Sequence, residues 1–164
     1  MRTAILGAFL ALTLSAQNIS VSQIELSTRQ PEKPLAELWS AAAQSPRSAT
    51  ARVDVGFAHL SLNRLQQAEW AARESLDLDP ANARAQLLLG WTLARQYRYT
   101  SEALDNLRRA AHVYPEAHLG AADVLAHQEG CVQDARAEVE AYLASGAAEY
   151  RKIAEGWLKL LSLQ

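Results

Sequence analysis

The stretch Asp79-Pro80-Ala81-Asn82-Ala83-Arg84-Ala85-Gln86-Leu87-Leu88-Leu89-Gly90-Trp91 decides the fold. A proline drives the residue before it out of the helical region, so Asp79-Pro80 stops one helix. Asn82 offers the short side-chain acceptor that caps a new helix, and an alanine- and leucine-rich run follows it. Gly90 then falls inside that second helix beside a tryptophan, where glycine costs about 1 kcal/mol relative to alanine. A cost of that size points to close packing, a place where any side chain would hold two helices apart.

The same punctuation recurs on either side. Ser45-Pro46, Asp79-Pro80 and Tyr114-Pro115 follow one another at intervals of 34 and 35 residues, each between alanine- and leucine-rich segments. Val55-Gly56 precedes Leu89-Gly90 by 34 residues, Ala68 precedes Ala103 by 35, and Ser75 precedes Ala110 by 35. The extra residue fits the turn Gln96-Tyr97-Arg98-Tyr99-Thr100. The chain therefore reads as a series of helix pairs, in which Gly56 faces Ala68 and Gly90 faces Ala103. A plain bundle can use such glycines, but it has no need of the fixed interval.

Composition agrees. Glycine and proline number only 7 and 5 in 164 residues, and alanine, leucine, glutamate, glutamine and arginine dominate, so the expected class is all-α. A hydrophobic share of 49% argues for a folded chain. The net charge of -2 holds no basic excess to neutralise phosphates, so no nucleic-acid partner is expected. Residues 1–16 carry a charge at Arg2, an apolar run from Ala4 to Leu14, and small residues Ser15 and Ala16, the build of a secretory signal peptide. Its cleavage would leave a periplasmic or secreted protein with no stable membrane insertion, whereas an uncleaved signal would leave a membrane anchor. Residues 17–33 are polar and aperiodic, an extended arm or linker.

On these residues the chain resembles the tetratricopeptide repeat of bacterial exported proteins, whose pattern over 34 positions is a large residue, Leu-Gly, a large residue, Ala, an aromatic or large apolar residue, and Pro. The unit 49–82 meets it with Val55, Gly56, Ala68 and Pro80. The unit 83–117 meets it with Leu89, Gly90, Leu93, Ala103, Leu107, Ala110 and Pro115. A degenerate unit, 118–146, has Val124 and Leu125 in the Leu-Gly slots, Ala135 and Val139 on its second helix, and Gly146 where a proline is expected. Residues 34–46 look like a half-repeat. His59, Ala72 and Gln86 stand where the family has larger apolar residues, which implies looser packing there.

The resemblance implies a right-handed α-solenoid of antiparallel helix pairs whose first helices line a concave groove. Carried onto this sequence, the groove positions are Thr50, Val53, Phe57, Leu60 and Ser61 in one unit and Arg84, Leu87, Trp91, Ala94 and Arg95 in the next. Phe57 and Trp91 occupy equivalent places. They are either anchors for an extended peptide, with Arg84 and Arg95 binding its carboxylates, or core. The lysine and asparagine clamp with which some family members hold chaperone tails is replaced here by Val53, Phe57, Leu87 and Trp91, so that activity does not carry over. The segment 148–163 sets Tyr150, Ile153, Ala154, Trp157, Leu158 and Leu161 on one helical face, as a capping helix would.

Chemistry is sparse. The histidines His59, His112, His118 and His127 form no metalloprotease motif, and His127 with the lone Cys131 supplies only half of a tetrahedral zinc site. No metal or cofactor is expected. The functional expectation is a non-enzymatic scaffold that binds a protein or peptide through its concave groove. The alternatives are a structural subunit of a cell-envelope complex docking by its convex face or terminal helix and, more remotely, a helical enzyme or metal-binding protein using its His and Cys residues.

Overall fold

In the computed structural model, the described residues are 19–20 and 33–162. The expected signal peptide at 1–16 and most of the arm at 17–33 lie outside the described residues. Within them the chain is all-α: α1 (Leu35–Gln44), α2 (Ala49–Ser61), α3 (Leu65–Leu78), α4 (Ala83–Arg95), α5 (Ser101–Ala111), α6 (Ala117–Ala126), α7 (Val132–Ala144) and α8 (Arg151–Leu161).

Local chemistry sets these boundaries. The Ser48 hydroxyl accepts from the Ala51 amide at 3.2 Å and the Asn82 carboxamide accepts from Ala85 at 3.0 Å, two N-caps 34 residues apart. Thr100 caps α5 in the same way. Ser45 and Asp79 leave the helical region directly before their prolines. Helix α5 stops earlier, at Ala111, so Tyr114-Pro115 follows a short turn. Gly146, with φ of 78°, ends α7 in the left-handed conformation that glycine favours.

The turns inside the hairpins share a feature that the spacing of prolines does not reveal. Asn63 and Tyr97 occupy the same place in two successive turns, two residues past the helix end, with φ of 55° and 58°, and Gly130 in the third turn also has a positive φ, 79°, four residues past the end of α6. Asparagine and glycine accept this region readily, whereas tyrosine is strained in it.

Each helix packs on the next, so α2–α3, α4–α5 and α6–α7 are antiparallel hairpins stacked in order. The first helices α2, α4 and α6 also pack on one another along the stack. The second helices meet less closely and are linked by long side chains: Arg73 on α3 to Glu102 on α5 at 2.5 Å, and Arg108 on α5 to Glu138 on α7 at 2.8 Å. A shorter row of first helices and a wider row of second helices put α2, α4 and α6 on the inner side.

Close approach explains the glycines. A Cβ on Gly90 would lie 3.0 Å from the Ala103 carbonyl oxygen and 2.5 Å from Leu107 Cγ. One on Gly56 would lie 3.2 Å from Ala71 Cβ and 3.6 Å from the Ala68 carbonyl, and would strike Leu88. In the degenerate unit Leu125 stands in the glycine slot, and Gly120 instead makes a close approach to the preceding hairpin, where a Cβ would come within 2.6 Å of Leu107 Cδ2. His59, Ala72 and Gln86 are all buried, and the Gln86 carboxamide donates to the Pro80 carbonyl at 2.9 Å. Ser75 is buried too, and its hydroxyl donates to the Ala49 carbonyl, tying α3 to the start of α2.

A main core runs from α2 to α8, and a small cluster of Leu38, Ala42, Val55 and Ala58 joins α1 to α2. At the far end Tyr150, Ala154, Trp157 and Leu161 are buried while Arg151, Lys152, Glu155 and Lys159 face out. Helix α8 starts three residues later than its apolar pattern suggests. Directly ahead of it the Tyr150 amide donates to the Tyr142 hydroxyl at 2.9 Å. Among the described residues no helix is long and apolar enough to cross a membrane.

Candidate functional site

The inner row is built by two helices of the same register. Val53, Phe57 and Leu60 on α2 and Leu87 and Trp91 on α4 are brought together in one apolar cluster, all of them buried. Helix α4 is withdrawn from solvent at every position from Ala85 to Ala94. Trp91, at 0% exposure, is core: its Cε3 lies 3.4 Å from where a Gly120 Cβ would be, so the indole bridges α4 and α6. Its ring N–H has no acceptor. Thr50 and Ser61 are exposed, and the Ser61 hydroxyl donates back to the Ala58 carbonyl.

The two arginines expected to receive carboxylates already have partners. Arg84 forms an ion pair with Asp54 on α2, and its guanidinium carbon sits 4.9 Å from the centre of the Phe57 ring. Arg95 donates to the Asn63 side-chain oxygen at 3.4 Å. Sequence reasoning passed over Asp54 because an isolated carboxylate on a helix has no spacing signature; its relation to Arg84, 30 residues on, appears only once the helices stack.

One residue from outside the array enters this cluster. Ile19 is completely buried and belongs to the same core as Phe57, Leu87 and Trp91. An isoleucine between Asn18 and Ser20 offers no period to read, which is why the segment reads as linker.

A second region lies where α1 and α3 flank the end of α2. Trp39 and Trp70 are 36% and 52% exposed, with ring centroids 6.2 Å apart and planes tilted by 32°. His59 lies edge-on to Trp39 at 6.0 Å, and neither of its ring nitrogens has a partner. Burial, assisted by the Arg64 charge, holds its pKa below the ordinary imidazole value. Beside it Glu69 collects Arg73, Gln96 and Arg98. Burial pushes its carboxyl up, but these three donors together outweigh it and hold the group below the usual range.

The remaining histidines have separate surroundings. His127 Nδ1 lies 2.8 Å from the Asp123 carbonyl and 3.1 Å from its carboxylate, and the ring stacks on Tyr99 at 4.2 Å. The Asp123 side chain, against the opposing effect of burial, raises the His127 pKa. His118 meets Glu138 at 2.7 Å, His112 is exposed, and the Cys131 thiol donates to the Glu129 carbonyl. Among the described residues no group of three or more His, Cys, Asp or Glu side chains is disposed to hold a metal ion.

The chain matches no protein-family model, and no curated protein is significantly similar to it.

Proposed function

We propose that the chain is an exported, non-enzymatic scaffold of the tetratricopeptide type, which takes a peptide or protein segment along its inner row. The feature that supports this reading is the stack of hairpins, whose first helices α2, α4 and α6 pack along one row with the partly exposed Arg84 and Arg95 on α4.

A photo-crosslinking amino acid at Arg95, at the mouth of the row, tests it. Capture of a discrete partner from that position, and not from Trp70, is the expected result; capture from Trp70 alone would transfer the function to the other face. Export is tested by sequencing the mature N-terminus, expected at Ala16 or Gln17.

The second reading, a subunit of an envelope complex docking by its convex face, is favoured by the exposed Trp39 and Trp70 pair. Tryptophan is enriched among residues that dominate binding energy, and two of them in contact at a surface form an apolar step that a partner would cover.

A further inference from the structure

His59 is 5% exposed, and neither of its ring nitrogens has a partner. A neutral imidazole brings one donor and one acceptor, and burying both unmet already costs stability; a protonated ring brings two donors and a charge, which such a place tolerates far less. The group that closes the place is Trp39, whose indole meets the His59 ring edge-on at 6.0 Å and leans on Trp70 of α3 at 6.2 Å. Trp39 belongs to α1, which is held to α2 by the small cluster of Leu38, Ala42, Val55 and Ala58, separate from the main core. We propose that His59 is a proton-operated latch on α1: when the ring takes up a proton, Trp39 is displaced and α1 undocks from α2 while the rest of the stack stays folded. Such a latch works whether or not the inner row takes a partner.

Among the described residues no carboxylate pairs with the ring. Those on the surrounding helices are engaged or face solvent: Glu69 is held by Arg73, Gln96 and Arg98, Glu74 by Arg52 and Asp54 by Arg84, while Glu37 on α1 is exposed. On α4, Arg95 reaches Asn63. Arg64, in the turn after α2, opposes a second positive charge, and it adds to burial in holding the pKa below the ordinary value. An imidazolium at this position must therefore be hydrated, and the ring that keeps water out is Trp39. With α1 undocked the imidazole regains about its ordinary pKa, so docking is at full strength above 6.5 and weakens as pH falls from there through the lower value of the docked form.

The test is hydrogen exchange of the full chain, corrected for the intrinsic rate, between about pH 7.5 and about pH 5. Protection of the α1 amides is expected to fall as pH drops below 6.5, by up to about tenfold per pH unit for the uptake of one proton, while α4 to α7 do not lose theirs. The exciton signal of the Trp39–Trp70 pair in circular dichroism should fade over the same interval. In His59→Leu, which cannot take the proton, protection and signal are both expected to hold steady; should that variant fail to fold, His59→Gln makes the same comparison. The latch is overturned by α1 protection that is indifferent to pH in the natural chain, by a fall that persists in the His59 variant, by a loss shared with α4 to α7, or by an exciton signal that does not move.

Discussion

Leu107 fills the space above Gly90 so completely that the first carbon of any side chain there would come within 2.5 Å of its Cγ. The same leucine reaches Gly120 on the next hairpin, so one side chain is seated between two backbones that have been cleared for it.

Gly90→Ala is accordingly expected to destabilise the chain by about 1–3 kcal/mol, although alanine regains about 1 kcal/mol of helix propensity. The obstacles are a branch carbon and a backbone oxygen, neither free to move. Gly56→Ala should cost less, because Leu88 meets it with a terminal methyl group. Gly156, in α8, has nothing within 4 Å of a Cβ, and Gly156→Ala should stabilise by about 0.5–1 kcal/mol. Urea denaturation of the three variants checks the order.

Tyr97 is 74% exposed and held at a φ of 58°, in the position taken by Asn63 in the preceding hairpin. Tyr97→Gly relieves a conformation that costs an ordinary residue about 1–2 kcal/mol, against the extra freedom glycine gains when unfolded. A net gain of roughly 0.5–1 kcal/mol is expected. A lowered melting temperature would show that the ring contact with Tyr99 outweighs the strain.

Trp91→Ala and Trp70→Ala separate core from surface. Removing the buried indole should cost about 3–5 kcal/mol, whereas the exposed one should cost less than about 1 kcal/mol. A mild effect at Trp91 on thermal unfolding would return it to the role of an open anchor.

Two ionisable groups make stability depend on pH in different windows. The folded pKa of His127 lies above its ordinary 6.5, so its contribution is fully present below that value and is lost as pH rises through the folded pKa. Glu138 is opposite: burial raises its carboxyl, His118 and Arg108 together lower it further, and its folded pKa lies below 4.5. Its contribution is present above 4.5 and is lost as pH falls through the folded value. The stability lead of the natural chain over His127→Gln should shrink from pH 6 upward, and its lead over Glu138→Gln should shrink below pH 5; unchanging leads would contradict the pairings.

Helix starts, stops and close approaches were legible because backbone rules act over a few residues: Asn82 caps, Pro80 stops, and Gly90 admits Leu107 and the Ala103 backbone. The inner row was legible as a set of positions, since Phe57 and Trp91 share a register. Its state was not. Trp91 is covered by α6 at Gly120, and no periodicity links those two residues. The Arg84–Asp54 and His127–Asp123–Tyr99 groupings also arise only when hairpins are superposed, so spacing along the chain could not assign their partners.

The two rows of helices differ in what chiefly joins them: side-chain packing on the inner row, with the Arg84–Asp54 ion pair beside it, and partly exposed ion pairs such as Arg73–Glu102 and Arg108–Glu138 on the outer. Dissolved ions weaken the second kind of link and leave the first nearly untouched. Dissolved salt therefore loosens the links of the outer row before those of the inner one.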